Sequence, residues 1–389
     1  MFYRREQRNI IGMLVPEADK YHQLLEAIGE FAEKELLPGA KKIDREGMFP
    51  RENLEKVVEH GIMALPFPEE YDGSGFPFPV YVAALEMLSK ACANTALQVS
   101  VQGMICEGIR LFGDESQRQR FLREEGLVEG RRLIAFALTE PCCGSDAKAI
   151  ETEALPSEKG YVLNGTKTLI TNPGEADFIL VFARTGQGIS SFIVPKETSG
   201  LRVMKDIPKL GFRGNTLSAL HFDECEVERE NLLGQEGRGL EYSKQILNSG
   251  RMTIAAIGVG IAQAAYEKAL SYSRKRKTFG SSISHFQLVQ EKLSDVVTDI
   301  NAARLLTCYA AVLKDRGRDI ASAASQAKLF SSEMAIRTCD AAIQIHGGYG
   351  YIDEFDVHRH WRDARLLTIG EGTSDMLRLL IAHLALKEL

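Results

Sequence analysis

The chain has 389 residues, a formal net charge of −6 and a hydrophobic fraction of 44%. This length exceeds one compact core, so we expect two or three domains. The acidic balance argues against a protein that coats nucleic acid or an anionic membrane. No window approaches the roughly 18 to 20 uninterrupted apolar residues of a membrane span, and no signal peptide is expected at the N-terminus.

The first segment, residues 1–130, is predicted to be an α-helical domain. Residues 21–37 form an amphipathic pattern that Pro38 follows closely, and residues 53–61 and 80–91 show the same periodicity. A loop rich in proline and glycine, residues 66–79, separates the last two patterns.

The middle segment, residues 131–238, is predicted to be an antiparallel, barrel-like β-sheet domain. Residues 160–163 lead into Asn164 and Gly165, a pair typical of a type I′ hairpin turn. Residues 178–183 and 191–195 are short apolar runs suited to buried strands.

The last segment, residues 239–389, is predicted to be a four-helix bundle. All twelve prolines lie at or before Pro208, so long helices can form after it. Apolar residues recur at helical spacing over residues 240–314 and 320–345, and a further helix closes the chain. The expected fold class is therefore multi-domain α+β, with helical, sheet and helical domains in that order.

Glu371 stands between Gly370 and Gly372, just before the last helical pattern. Flanking glycines let the backbone approach a ligand closely and leave a backbone N–H free. Glu371 is thus a candidate general base. The alternative is an exposed acidic residue at a helix N-terminus, which the helix dipole favours.

Residues 136–146 run from a strand into a loop crowded with hydroxyl-bearing and small residues. Such a loop can present backbone N–H groups to a flat polar heterocycle or a phosphate. An ordinary tight loop remains the alternative.

The seven cysteines show no Cys-x-x-Cys pair and no Cys/His ligand spacing. We therefore expect no metal site, no disulfide framework and a reducing compartment. The adjacent Cys142 and Cys143 are interpreted as packing variants, with a redox role as the alternative.

Seven motifs follow one another along the chain: residues 136–146, 164–172, 209–214, 247–251, 276–280 with 286–287, 344–351, and 362–365 with 371–373. Together they resemble those of the acyl-CoA dehydrogenases, and the resemblance covers nearly the whole chain. Members of this family are FAD-dependent enzymes that desaturate acyl-CoA thioesters between Cα and Cβ.

The resemblance implies two groups of FAD-binding residues. The first holds the flavin within one subunit: Phe136, Leu138, Thr139, Gly144, Ser145, Leu169, Ile170, Thr171, Thr373 and Asp375. The second holds the adenine end of a flavin bound mainly by a neighbouring subunit: Arg276, Thr278, Phe279, Ile283, Phe286, Gln287, Gln344, Gly347 and Gly348. For the Arg276 group the alternative is a solvated basic helix end, since residues 274–277 are all basic.

The resemblance also implies the chemistry. Glu371 would remove the α-proton while the β-hydrogen passes as hydride to flavin N5, and the backbone N–H of Glu371 would stabilise the enolate. Some members place the base immediately before the CoA-binding arginine, but here that residue is Gly250. The substrate-binding residues implied are Ser145, Asn248, Arg251, Gly370 and Gly372.

Three departures from the family pattern bear on the substrate. Leu169 replaces a tryptophan that commonly packs on the flavin. Gly370 stands where many straight-chain members carry tyrosine, so we expect a branched or cyclic acyl group. The helical segment 94–108 has no arginine at its start, so a clamp for a glutaryl carboxylate is not expected.

The implied partners are an acyl-CoA substrate, an electron-transfer flavoprotein and three further copies of the chain in a homotetramer, a dimer of dimers. Neither nucleic acid nor membrane is expected. The implied setting is carboxylic or fatty acid degradation, in the bacterial cytoplasm or the mitochondrial matrix. An acyl-CoA oxidase or an enoyl-CoA reductase would share these features, and a DNA-binding flavoprotein is the alternative from another class.

Overall fold

The computed structural model describes residues 19–387 together with Ile10, Gly12 and Leu14. The first helix, α1 (Asp19–Phe31), passes through a π-helical segment (Ala32–Leu36) into α2 (Leu37–Glu46). Pro38 does not end the helix. It lies in the first turn of α2, directly after the π-helical segment. Gly47, with a φ of 64°, terminates α2 in the left-handed conformation.

The remaining N-terminal helices carry the deepest packing of this segment. They are α3 (Arg51–Glu59), α4 (Phe78–Ala91) and α5 (Ala93–Phe112), with a 3₁₀ turn (Glu69–Tyr71) between α3 and α4. Nearly every residue of α4 and of the first four turns of α5 is buried. Because they are apolar or hydrogen-bonded on all sides, these two helices lie between other elements rather than at the surface. A short helix (Glu115–Gln117) and a π-helical segment (Arg118–Glu124) follow.

The sheet has seven strands: β1 (Ile134–Ala137), β2 (Glu153–Pro156), β3 (Gly160–Thr171), β4 (Phe178–Thr185), β5 (Gly188–Pro195), β6 (Leu201–Val203) and β7 (Leu217–Glu228). Their order is β1-β4-β2-β3-β7-β6, with β5 on the other side of β4. The sheet is mixed rather than wholly antiparallel, since β1 and β2 both pair with β4 in parallel. The long connection through β2 and β3 lets the chain return in the same direction.

The predicted hairpin turn at Asn164 and Gly165 is wrong, because β3 runs straight through both residues. Asn164 lies in a bulge opposite β7 and exchanges two hydrogen bonds with Glu224, of 2.8 and 2.9 Å. Gly165, with a φ of 147°, is needed because any Cβ there would overlap Thr152. Pairing with both β2 and β7 outweighs the local turn preference.

The C-terminal segment contains three long helices and two shorter ones. They are α6 (Gly239–Lys275), α7 (Gln287–Asp315), α8 (Ala321–His346), α9 (Val357–Leu367) and α10 (Ser374–Lys387). The connector between α6 and α7 holds a small hairpin of β8 (Lys277–Thr278) and β9 (Ser281–Ser282), followed by a 3₁₀ turn (Ile283–His285). A second 3₁₀ turn (Gly347–Tyr351) follows α8, and two others (Ala147–Ala149 and Arg229–Asn231) lie in the middle segment.

A buried ion pair ties the two helical segments together. Arg304 of α7 donates to Glu86 of α4 at 2.9 Å, and both side chains are almost fully buried. Removing one member of such a pair would leave an uncompensated buried charge. The bundle and the N-terminal helices therefore form one continuous core, on which the last loop and helix α10 rest.

Helix α7 is long and apolar enough to meet a simple criterion for a membrane span, with a mean hydropathy of 1.3. Half of that window is buried inside the protein. A core helix of a globular bundle passes the same criterion, and the contacts of α7 with α4, α6 and α8 are of that kind.

Candidate active site

Glu371 lies in the short turn that joins α9 to α10 and adopts a left-handed backbone conformation, with a φ of 55°. For a residue other than glycine this conformation costs roughly 1–2 kcal/mol. Gly372, with a φ of 102°, follows it. Strained residues of this kind concentrate at functional sites, where surrounding contacts impose the conformation.

The carboxylate of Glu371 points inward. Its Oε2 atom is buried and has no hydrogen-bond partner among the residues that the structure describes. Burial raises the pKa of Glu371 to about 7, while the nearby positive charges of Lys328 and Arg251 oppose that rise. A carboxylate with a pKa near neutrality and a free lone pair has the properties of a general base.

Gly250 of α6 forms the wall beside this carboxylate. A Cβ atom built on Gly250 would overlap Oε2 of Glu371 and lie 2.8 Å from Sδ of Met104. The backbone of α6 therefore packs directly against the carboxylate, and any larger residue at position 250 would displace it.

Two cations hold the Glu371 turn through its backbone carbonyls. Nε of Arg251 donates to the carbonyl of Glu371 at 3.3 Å, and its Nη1 donates to Oδ1 of Asn248 at 2.7 Å. Nζ of Lys328, in α8, donates to the carbonyl of Gly372 at 2.6 Å. Both cations are anchored away from the carboxylate oxygens, which keeps Oε2 free.

Lys328 was not predicted from the sequence. It is fully buried, and burial lowers its pKa to about 8. The available signal was its position among apolar neighbours, between Ala327 and Leu329, in the helical pattern 320–345. A charged residue on the apolar stripe of a helix needs a buried partner, and here that partner is a carbonyl 44 residues away.

Asn248 and Arg251 were predicted to hold the CoA portion of a substrate. The structure bonds them to each other, and Arg251 also contacts the carbonyl of Glu371. Arg251 also contacts Oγ of Ser325 at 3.4 Å. Arg251 therefore orients the Glu371 turn, and its hydrogen bonds to Glu371, Asn248 and Ser325 are all made within the protein.

The predicted flavin loop lies at the end of β1. The carbonyl of Thr139 accepts a 2.9 Å hydrogen bond from the N–H of Thr168 in β3, which fixes the start of the loop. Gly144 and Ser145 are exposed, and Thr139 is half-buried. Exposed backbone and hydroxyl groups on a fixed loop are suited to a flavin and its phosphates.

Leu169 supplies an apolar surface next to this loop. It lies in a bulge of β3, has a left-handed φ of 56° and is 53% exposed. Thr171 is half-buried on the same strand, whereas the side chains of Leu138 and Ile170 are buried. Leu138 and Ile170 can thus contribute only backbone atoms to a ligand.

The residues predicted to bind the adenine end form a separate cluster. The guanidinium of Arg276 lies 5.7 Å from the ring centre of Tyr349, so the α6–α7 connector meets the turn after α8. Phe279 is 95% exposed, and Gln287, Gln344, Gly347 and Gly348 are also exposed. Ile283 is buried, and Thr278 and Phe286 are half-buried. An exposed aromatic and basic surface of this kind is typical of an interaction site.

Thr373 and Asp375 begin helix α10. Oγ1 of Thr373 accepts a 3.2 Å hydrogen bond from the N–H of Met376, as an N-cap does. The side chain of Asp375 is exposed and lies 3.9 Å from Arg378. Thr373 therefore caps helix α10, and Asp375 lies at the surface.

Three sets of predicted residues thus emerge: the Glu371 turn, the sheet loop and the Arg276 cluster. Hydrogen bonds from α6 and α8 hold the first, and bonds within the sheet hold the second. Among the residues that the structure describes, the hydrogen bonds that hold the Glu371 turn and those that hold the sheet loop involve different residues.

Three family models match the chain in succession. They are the N-terminal domain of acyl-CoA dehydrogenase over residues 18–126, the middle domain over 135–225 and the C-terminal domain over 237–386.

Individual proteins agree with these matches. The chain is 42% identical to a probable acyl-CoA dehydrogenase, YngJ, of Bacillus subtilis (95% of this chain, 99% of the relative). It is also 42% identical to the mitochondrial short-chain specific acyl-CoA dehydrogenase of Mus musculus (94% and 90%).

Two solved structures have the same fold at a TM-score of 0.91 over 94% of this chain and 97% of theirs. One is butyryl-CoA dehydrogenase from Megasphaera elsdenii, at 37% identity. The other, at 39% identity, comes from a study of the electron transferring flavoprotein of Acidaminococcus fermentans.

Proposed function

Because the chain belongs to the acyl-CoA dehydrogenase family, FAD-dependent oxidoreductases that act on CH–CH donors, we propose that it converts a short acyl-CoA thioester to the enoyl-CoA, with Glu371 as the base. The observation that carries this proposal is the carboxylate of Glu371, whose Oε2 atom is buried, has no hydrogen-bond partner among the described residues and packs against the backbone of Gly250.

Glu371 takes the α-proton of the thioester at Oε2. Its pKa of about 7 lies closer to that of a weak carbon acid than the pKa of an exposed glutamate does, which favours proton transfer. Its own backbone N–H donates no hydrogen bond to any described residue. That N–H is available to the thioester carbonyl, where negative charge develops as the proton leaves.

FAD, when bound, supplies the acceptor for the β-hydrogen, which leaves as hydride. Its fit to the chain rests on the exposed loop of Gly144 and Ser145 and on the exposed apolar side chain of Leu169. Hydroxyl groups are offered by Thr139, Thr171 and Thr373. The hydroxyl oxygen of Thr373 already accepts a hydrogen bond from the N–H of Met376, so it would contact FAD in addition to capping α10. The residues of the Arg276 cluster would serve a flavin of a neighbouring chain, which accounts for their exposure and supports a homotetramer.

The substrate proposal combines two observations. Relatives named for short-chain substrates favour a short acyl group. A Cβ atom on Gly370 would have Leu366 as its nearest neighbour, at 3.7 Å, which is ordinary van der Waals contact without a clash, so the glycine leaves out side-chain volume next to the base. We therefore propose a short acyl chain with room for a branch or ring near the reacting carbons.

The remaining partners are proposed by family membership. The electron acceptor is an electron-transfer flavoprotein. The similar structure from the study of such a flavoprotein in Acidaminococcus fermentans supports this choice. The compartment is the bacterial cytoplasm or the mitochondrial matrix, as for the bacterial and mitochondrial relatives. An oxidase would instead pass the electrons to oxygen, so that the enzyme reduced by acyl-CoA forms peroxide in air. A peroxide assay distinguishes this activity from turnover that depends on an added electron acceptor.

The test is Glu371→Gln, with the exposed Glu158→Gln as the matched control. We expect Glu371→Gln to lower the rate of flavin bleaching by anaerobic acyl-CoA by about 10²-fold or more, since general base catalysis contributes about that much. Glu158→Gln should bleach at the wild-type rate. Bleaching by Glu371→Gln at the wild-type rate would refute the base assignment.

A further inference from the structure

A cluster of soft ligand atoms lies in the tight turn after β1. The Sγ atoms of Cys142 and Cys143 are 3.6 Å apart, and Sγ of Cys142 is 3.7 Å from Oε2 of Glu140. One ligand atom from each of the three residues lies within 4.8 Å of the others. We propose that Glu140, Cys142 and Cys143 form a binding site for a thiophilic divalent cation such as Zn²⁺ or Cd²⁺.

The distances fit a single ion. Two Zn–S bonds of about 2.3 Å at a tetrahedral angle span about 3.8 Å between the sulfurs. A Zn–S bond and a Zn–O bond of about 2.1 Å span about 3.6 Å. The observed separations, 3.6 and 3.7 Å, are close to these two edges, and the third, between Cys143 and Glu140, is within 4.8 Å. The fourth position would be open to water, because Cys142 is exposed.

The turn itself explains how two adjacent cysteines can face one ion. The N–H of Glu140 donates to the carbonyl of Cys143 at 3.0 Å, and the N–H of Cys143 donates back at 3.1 Å. Pro141 fixes the first central position of this turn. The reversal of the chain brings the sulfurs together, so the site does not need the Cys-x-x-Cys spacing on which the sequence prediction of no metal site depended.

The third ligand is held in place in advance. Oε1 of Glu140 accepts from Nζ of Lys167 at 2.7 Å and from the N–H of Thr152 at 3.0 Å. Oε2 accepts from the N–H of Glu151 and is the oxygen nearest to Cys142. A carboxylate oriented by second contacts of this kind loses little freedom on binding an ion.

The charge of the site also balances. Lys167 is fully buried, and its positive charge offsets that of Glu140. Binding an M²⁺ ion displaces the two thiol protons, and the ion replaces their charge: M²⁺ + 2 RSH gives M(SR)₂ + 2 H⁺. The site therefore stays neutral, which avoids burying a net charge.

The site uses neither Glu371 nor the cations that hold its turn, although it lies in the loop that is proposed to bind FAD. Zinc binding is therefore measured separately from flavin bleaching, so that the two proposals can fail independently. The experiment takes the FAD-loaded protein, stripped of metal with a chelator, and titrates it with Zn²⁺ by calorimetry in buffers of different ionisation enthalpy. X-ray absorption at the zinc edge then counts the sulfur ligands.

We expect one ion per chain, two sulfur ligands and release of about two protons. Cys142→Ser should weaken binding at least tenfold, and the Cys142→Ser/Cys143→Ala double variant should abolish it. Cys225→Ala, a buried cysteine of the same sheet, is the control and should bind as the wild type does. Cys142 is exposed, so its substitution tests the site even where Glu140→Gln does not fold. Zinc coordinated without sulfur, or unchanged binding in the double variant, would overturn the proposal.

Discussion

Lys328 donates a 2.6 Å hydrogen bond from Nζ to the carbonyl of Gly372, the residue next to the proposed base. Arg251 binds the carbonyl of Glu371 in the same way, at 3.3 Å. Two helices, α6 and α8, thus each contribute one cation, the half-buried Arg251 and the buried Lys328, that positions the turn and leaves the carboxylate free. Their charges also work against the burial that raises the pKa of Glu371.

Lys328→Met should move the acid limb of the kcat/KM profile to higher pH. The substitution removes a positive charge that favours ionised Glu371, so the pKa of Glu371 in the free enzyme should rise further. It also leaves the carbonyl of Gly372 unpaired, which costs about 1–3 kcal/mol of stability. The measurement is kcat/KM from pH 5 to 9 with one acyl-CoA.

Lys328→Arg is the matched control, because it keeps the charge and a donor. Its acid limb should stay near that of the wild type even if kcat falls. An unchanged acid limb in Lys328→Met, together with normal folding, would show that Lys328 has only a structural role.

The protonation of Glu371 should also be visible in stability. Its pKa rises from 4.5 to about 7 on folding, so the folded state binds more protons than the unfolded state between these values. Stability from this group is therefore present at low pH and is lost as the pH rises from about 4.5 to about 7, by up to about 3 kcal/mol.

Glu371→Gln removes this titration. The Tm of the variant minus that of the wild type should therefore grow between pH 5 and pH 7.5, measured without substrate. Glu158→Gln, at an exposed site, should show a constant difference. A constant difference for Glu371→Gln would contradict a raised pKa.

Gly250→Ala should impair catalysis strongly, because the added methyl group overlaps Oε2 of Glu371 and crowds Met104. Overpacking of this kind costs about 1–3 kcal/mol, which corresponds to roughly 5- to 150-fold if it is taken from the catalytic geometry. The measurement is the rate of flavin reduction in single turnover. Gly258→Ala, on the same helix but against Ser331, separates this local effect from general disruption of α6.

Gly370→Tyr should change substrate preference rather than the chemistry. A Cβ atom at position 370 would meet no atom closer than 3.7 Å, so a larger side chain can begin there without a clash, and its ring is expected to occupy the space proposed for a branch. The ratio of kcat/KM for isobutyryl-CoA over butyryl-CoA should fall by tenfold or more, about the cost of one to two misplaced methyl groups in a pocket. Gly370→Ala should change that ratio much less, and an equal loss for both substrates in Gly370→Tyr would argue against the branched-chain proposal.

Some features of this protein could be predicted from its sequence alone. The order of helical, sheet and helical segments follows from proline distribution and apolar periodicity, and the structure confirms it. Glu371 could be singled out because its glycine neighbours are local in the chain, and its left-handed backbone agrees with that pattern. The family motifs are likewise short, so each is complete within a few residues.

Other features depended on residues far apart in the chain. Asn164 and Gly165 have the local preference of a hairpin turn, yet pairing with a strand about 60 residues later keeps them in β3. The adjacent positions of Cys142 and Cys143 do not match a usual metal-ligand spacing, but the turn closed by backbone hydrogen bonds between Glu140 and Cys143 brings their sulfurs together.

Lys328 shows the division most clearly. The sequence by itself determined that Glu371 stands in a permissive turn and that Lys328 lies within a helix. Only the tertiary structure decided that this helix packs its lysine beneath that turn, 44 residues away. Backbone preference acts over a few residues, whereas burial and pKa depend on which distant atoms exclude water from a side chain.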